Sequence, residues 1–344
     1  MSYAPPVFSP LDAGLAERLS ARIDGKAKPP GSLGDLEALA IQIGLIQRTQ
    51  TPVVERAQAY VFAGDHGMNA EGVSAYPSGV TLAMVATFRA GRACVNALAR
   101  ACDVGVVVVD AGVDAEIAPH PLLIDAKVRR GSRNAAVEPA LSEAEVELAL
   151  QRGGDIAAAS KADALVIGEM GIGNTASAAL LMHRLAPAPL DDCIGAGAGH
   201  DAEGLARKSA VLARAAARSD ASQPIEVLRQ FGGLEIAMMA GAFLGGAAAH
   251  KVMVVDGFIS SAAALVAVRL ASGLKERLTF AHVSAERGHR ALLAAIDAQP
   301  LFDLRMRLGE GSGGVLAVPL VRAAARLMSE TASLDDVLAG RVAP

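Results

Sequence analysis

Three glycine-rich segments hold the side chains best suited to chemistry. The first, Gly168-Glu169-Met170-Gly171-Ile172-Gly173-Asn174-Thr175, stands between a β-branched run and an alanine-rich stretch. Glycines at such a junction let backbone N–H groups approach an anion such as phosphate at a helix start, with Asn174 or Thr175 as the helix cap. The spacing matches neither GxGxxG nor the Walker pattern, and a tight strand-to-helix turn explains the glycines as well as a phosphate cradle does. The second segment, Gly195-Ala196-Gly197-Ala198-Gly199-His200-Asp201, offers a surface of bare backbone, and Lys208 two turns further on is placed to aim a cation at the same anion. A solvated lysine on a helix face is the plainer reading of Lys208. The third, Leu308-Gly309-Glu310-Gly311-Ser312-Gly313-Gly314, sets one carboxylate between glycines, where it can act as a general base or merely cap the helix that follows. Asp65-His66, His200-Asp201, Asp256, His282 and Ser284 complete the polar candidates. Histidines and carboxylates at strand ends raise a metal-hydrolase option, but no HxH, HExxH or clustered Asp pattern accompanies them.

Something must bring these segments together, and a repeated grammar does so. Five β-branched runs (60–63, 104–109, 164–167, 252–255 and 278–281) each lead into a Gly- or Asp-rich turn. Helical spacing follows over 81–101, 143–159, 174–185, 203–217, 260–271, 289–298 and 315–328. Alternating strands and helices of this length predict an α/β domain with a parallel sheet, and the unbroken Val106–Val109 run fits a strand buried on both faces. Loops at the carboxyl ends of parallel strands converge on one crevice. The α/β domain is expected over 56–289. Residues 1–55 and 290–344 lack valine-rich runs and predict a small helical domain built from both chain ends, with Ser32 capping a helix near Leu33.

Composition narrows the function classes. Of 344 residues, 52% are hydrophobic and 20% charged, as in a well-packed globular chain. Thirty-two Lys and Arg against 36 Asp and Glu leave a net charge of −4, which gives no basic footprint for nucleic acid. Cys94, Cys102 and Cys193 are too few and too far apart for a metal knuckle and read as reduced, buried thiols in a reducing compartment. The N-terminal segment lacks the pattern of a signal peptide. The longest apolar stretch, 234–249, falls short of the about 18 residues a membrane span needs and reads as a buried helix. Thirty-five glycines exceed the about 24 that an average composition provides, and those at 232–246 read as helix packing.

The ordered series KPPGSLG (28–34), GDHG (64–67), GEMGIGNTASA (168–178), GAGAGHDAEGLARK (195–208), GGLEIAMMAGAFLGGA (232–247), VDGFISSAAAL (255–265), SAERGH (284–289) and LGEGSGG (308–314) resembles the nicotinate-nucleotide:dimethylbenzimidazole phosphoribosyltransferases over about residues 25–330. The resemblance implies a parallel-sheet, Rossmann-like α/β domain with a smaller helical domain, assembled as a cytoplasmic homodimer. It also implies transfer of ribose 5-phosphate from nicotinate mononucleotide to a benzimidazole-type base, without cofactor or metal. By motif, Glu310 corresponds to the catalytic base and Glu169 to a second carboxylate. Gly171, Gly173, Asn174, Gly197 and Lys208 fall in the phosphate and nucleotide loops, with Asp256 and Ser284 around the nucleotide. Pro77, Met84 and Leu308 fall where the incoming base packs, and with so few aromatics its slot is expected to consist of Met, Leu and Val. Many relatives carry bulkier Arg and Thr where this chain has Ala196 and Ala198. A metal-dependent phosphohydrolase using Asp65, His66, His200 and Asp201 and a non-catalytic nucleotide-binding sensor are the competing readings.

Overall fold

A computed structural model describes residues 3–186, 188–197 and 199–342; Ala198 lies outside them. Its six strands are β1 (Ala57–Gly64), β2 (Gly105–Gly112), β3 (Leu123–Asp125), β4 (Ala164–Met170), β5 (Val252–Val255) and β6 (Leu278–Phe280). They form one all-parallel sheet in the order β3-β2-β1-β4-β5-β6. The order reverses between β1 and β4, and a doubly wound sheet opens its ligand crevice at that point. The five sequence-derived strands are all present. Strand β3 was not foreseen: three residues beside Pro121 are too short to show a period.

The described helices are α1 (Ala13–Asp24), α2 (Asp35–Gln47), α3 (Gly79–Arg89), α4 (Cys94–Ala101), α5 (Glu143–Ala159), α6 (Asn174–Leu185), α7 (Leu190–Cys193), α8 (Ala202–Ala217), α9 (Pro224–Phe231), α10 (Leu234–Ala248), α11 (Phe258–Leu270), α12 (His289–Ala295), α13 (Ser312–Glu330) and α14 (Leu334–Leu338). Side chains alternate across the sheet. Phe62, Ile167 and Val255 enter the core under α5, α6, α10 and α11. Val61, Val166 and Val254 enter the opposite core, where α1, α2, α3, α4 and α13 lie, so helices from both chain ends cover one sheet face. On the other face α10 packs backbone to backbone on α5: a Cβ on Gly153 would stand 1.8 Å from Met238 O, and one on Gly241 1.9 Å from Leu150 O. No described helix is long and apolar enough to cross a membrane.

Three local expectations are corrected. The single helix over 81–101 breaks into α3 and α4 at Ala90–Arg92, where Gly91 adopts φ +69°. Ser32 does not cap α2; Gly34 does, while the Glu37 carboxylate accepts the N–H groups of Gly31 and Leu33. Of the three thiols only Cys193 is buried, and Cys94 is exposed.

Candidate active site

Loops after β4, β5 and β6, the segment leading into α13 and the start of α3 enclose a cavity of about 360 Å³. Among the residues singled out from sequence, Glu169, Gly171, Asn174, Gly197, Asp256, Ser284, Met84, Leu308 and Glu310 line it. Gly173, Lys208 and Pro77 do not. Gly173 is the N-cap of α6 at φ +95°, its open side turned to His66 and Asn69, so the cap is neither Asn174 nor Thr175. Pro77 is exposed, while its neighbours Tyr76 and Val80 reach the cavity. Lys208 is only 1% exposed and lies behind the wall, where Nζ donates to Thr175 Oγ1 at 2.9 Å and to Gly195 O at 3.0 Å. Its burial overturns the solvated reading and lowers its pKa to about 8 against the opposing pull of Glu286.

Glu310 follows Gly309 and precedes Gly311, and all three adopt positive φ: +88°, +64° and +85°. A glutamate in this region carries strain of about 1–3 kcal/mol that the surroundings must impose, and such strain clusters at functional positions. Its buried carboxylate accepts the Val95 N–H at 3.0 Å, a donor at the start of α4 that exists because the 81–101 helix breaks. Burial raises its pKa, with the Val95 bond opposing and Asp256 adding to the rise. Asp256 ties the same loop down by accepting from Gly311 N at 3.2 Å and Gly314 N at 2.8 Å, while His282 Nε2 stands 3.7 Å from it.

Glu169, near the end of β4, accepts a hydrogen bond from Asn174 Nδ2. Burial pushes its pKa up to about 8; Asn174 opposes, and the charges of Asp256, Glu235 and Glu310 add to the rise. Here the loops touch through backbone. A Cβ on Gly168 would lie 2.5 Å from Gly311 N, and one on Gly309 2.3 Å from Glu169 Oε1. On the β6 side, Ser284 N donates to His289 Nδ1 at 2.7 Å, so His289 is neutral with its proton on Nε2, donated to Ser261 Oγ at 2.9 Å. Burial, then His282 and Arg290, depress the pKa of His289 to about 3.

The rest of the wall is largely apolar: Val80, Met84, Ile172, Phe258, Met306 and Leu308. Sequence reasoning missed Val80, Phe258, Met306 and Arg307; Phe258 stands inside VDGFISSAAAL, and Met306 and Arg307 lie just before LGEGSGG. The arrangement can hold a cationic ring against carboxylates, stack a flat apolar group and take up a proton on Glu310. The His200-Asp201 pair serves the fold: His200 Nε2 bonds Val73 O at 2.8 Å and Asp201 caps α8 through Gly204 N. Among the described residues no three His, Cys, Asp or Glu side chains converge as a metal ion requires.

A family model described as phosphoribosyltransferase (DBI_PRT) matches residues 8–337. The chain is 51% identical over 343 residues to the nicotinate-nucleotide–dimethylbenzimidazole phosphoribosyltransferase of Ralstonia nicotianae, covering 98% of this chain and 97% of the relative. It is 48% identical to the protein of the same name from Cupriavidus taiwanensis, covering 98% and 99%. The crystal structure of CobT from Thermus thermophilus matches with a TM-score of 0.91 at 42% identity, covering 94% of this chain and 98% of that one.

Proposed function

The chain belongs to the nicotinate-nucleotide–dimethylbenzimidazole phosphoribosyltransferase family, and from that premise we propose that it transfers ribose 5-phosphate from nicotinate mononucleotide to 5,6-dimethylbenzimidazole or a related base. The products are α-ribazole 5′-phosphate and nicotinate, with inversion at C1′. The leaving pyridinium departs as a neutral ring, taking the electrons of the C1′–N bond, and needs no acid or metal. One benzimidazole nitrogen attacks C1′ while Glu310 takes the N–H proton from the other, which relieves the charge forming on the ring. The raised pKa of Glu310 brings this base toward neutral pH, where proton transfer is most effective.

Glu169 faces the cationic donor ring and the positive charge that develops on the ribose. With its pKa raised to about 8 it favours the proton at neutral pH, and a cation brought beside it favours release. Gly171, Thr175 and Gly197 on the cavity wall at the start of α6 and the following loop, with Lys208 behind them, receive the phosphate, while Gly173 and Asn174 shape the turn, and that remote binding orients the sugar. Asp256 and Ser284 flank the nucleotide. Met84 and Leu308 pack the acceptor, with Pro77 shaping the lip from outside the wall. The division into a nucleotide-binding unit, 56–289, and a helical unit from 1–55 and 290–344 is part of this reading, as is a cytoplasmic homodimer. The three free cysteines fit a reducing compartment, and sedimentation velocity tests the dimer.

Glu310, a strained and buried carboxylate at an apolar cavity, is the observation that carries the mechanism. With nicotinate mononucleotide and 5,6-dimethylbenzimidazole and no added metal, the protein is expected to release nicotinate and form the α-linked product, unaffected by chelator. Glu310→Gln is expected to bind the nucleotide normally while turnover falls by at least about a hundredfold. Near-normal turnover in that variant refutes its role as base.

A further inference from the structure

The GDHG segment after β1 and the GGLE segment that opens α10 do not line the cavity, yet they meet directly beneath it. His66 Nε2 and Glu235 Oε1 lie 2.6 Å apart, with side chains only 2% and 0% exposed. Three glycines from three motifs are fitted around the pair. A Cβ on Gly64 would stand 2.8 Å from Glu235 Oε2, one on Gly233 2.6 Å from that oxygen and 2.3 Å from His66 Cε1, and one on Gly171 3.3 Å from Glu235 Oε1. Gly64 ends β1 and Gly171 follows β4, the two strands between which the strand order reverses, and Gly171 belongs to the loop that follows Glu169. Glu235 Oε2 has no hydrogen-bond partner among the described residues. A buried carboxylate so enclosed and half unbonded is costly unless an opposite charge balances it.

We propose that His66 and Glu235 are a positioning pair, an imidazolium–carboxylate contact that seats the 168–174 loop and sets the charge environment in which Glu169 gains and loses its proton. This role rests on the transferase reading of the site. The groups facing Glu169 are Glu235, Asp256 and Glu310, all anionic when ionised, with His282 set against Asp256 and His66 against Glu235. Asp65 adjoins His66 and faces both members of the pair. Burial works against a charged His66, but the attraction of Glu235 and Asp65 prevails and holds its proton above the usual imidazole range.

Two measurements test the pair. In histidine-labelled protein without substrate, the ¹⁵N shifts of His66 are expected to be those of imidazolium at pH 7.5, and of neutral imidazole in Glu235→Gln. A neutral His66 in the unsubstituted protein at that pH overturns the ion pair. In the transferase assay, Glu235→Gln keeps the side chain's volume and its bond to His66. It is expected to hold KM within about threefold and to move the limb of the kcat/KM–pH profile governed by Glu169 down by a few tenths of a unit, less than a lone nearby charge produces, because the Glu235 charge that acts on Glu169 is lost together with the opposite charge of His66. Glu235→Ala, which unseats the loop, is expected to lose at least tenfold in kcat/KM. A Glu235→Gln profile superimposable on that of the unsubstituted enzyme overturns the electrostatic role, because a packing role alone moves no limb. Should Glu235→Gln fail to fold, the shifts of the unsubstituted protein decide. An imidazolium His66 in a protein that transfers nothing points to failure of the transferase reading rather than of the pair.

Discussion

Glu169 is a carboxyl group whose surroundings favour the proton, and this has a consequence for folding as well as for binding. Its folded pKa, about 8, lies above the unfolded value near 4.5, so between those limits the native state holds a proton that the unfolded chain has released. Its contribution to stability is present below about pH 4.5 and is lost as pH rises through about 8. The protein is therefore expected to lose stability between pH 5 and 8, and Glu169→Gln, which has no proton to lose, to lose less by a few kcal/mol. Urea unfolding of both proteins at the two pH values measures the difference, and parallel losses would rule the assignment out. The same residue links binding to protons. A pyridinium set beside Glu169 favours the carboxylate, so binding of nicotinate mononucleotide at pH 7 is expected to release a proton. Calorimetric titrations in buffers of different ionisation enthalpy report that release, and equal heats in all of them count against Glu169 as the group that meets the cation.

At the scale of elements, the end of β4 and the approach to α13 meet through bare backbone, and this contact sets Glu310 beside Glu169. Neither side can yield, because Gly168 faces the peptide of Glu310 and Gly311 rather than a flexible side chain. Gly168→Ala is expected to displace Glu310 and cut kcat by at least about tenfold, with a melting temperature several degrees lower. Gly79→Ala, where a Cβ meets nothing within 4 Å and φ is not positive, is expected to keep full stability. Turnover and melting of the two variants separate a glycine that admits backbone from one that does not. This distinction was not legible in the sequence. The motifs were visible because β-branched runs stop abruptly at glycine, but spacing cannot say whether a glycine cradles an anion, admits a carboxylate as Gly309 does, or admits the backbone of a neighbouring loop as Gly168 does. Nor could spacing show the break at 90–92, where alanine-rich sequence on both sides continues the helical period and only Gly91 interrupts it. The Val95 donor to Glu310 depends on that break. Lysine on a helix is usually solvated, and only the packing of Thr175 and Gly195 around Nζ reveals that Lys208 is not.

For the whole molecule, the alternation of strand and helix made the parallel sheet legible, because each buried strand is a continuous apolar run. How the chain ends join it was less legible, since helical periodicity identifies an apolar face without naming its partner. Helices α1, α2 and α13 share one core with Val61, Val166 and Val254 of the sheet. The ends are also fastened to each other: Arg22 Nε donates to Met328 O at 3.0 Å, Lys26 Nζ donates to Thr331 O at 2.7 Å, and Lys26 pairs with Ser333 in a β-bridge. Asp256, after β5, holds the start of α13, so the segment that brings Glu310 to the site is anchored within the α/β region. Helices α1, α2 and α13 are thus part of the cover of the sheet itself. A fragment of residues 56–289 would keep α3 and α4 but expose the part of that sheet face that α1, α2 and α13 cover, and would leave the Asp256 carboxylate without the N–H groups it accepts, a loss on the scale of the roughly 5–15 kcal/mol that stabilises a typical domain. It is expected to show no cooperative thermal transition by circular dichroism and to bind a dye that reports exposed apolar surface, whereas the full chain melts in one step. A fragment that melts cooperatively would mean that the sheet is stable without its terminal cover, and that residues 1–55 and 290–344 serve to deliver Glu310 rather than to complete the core.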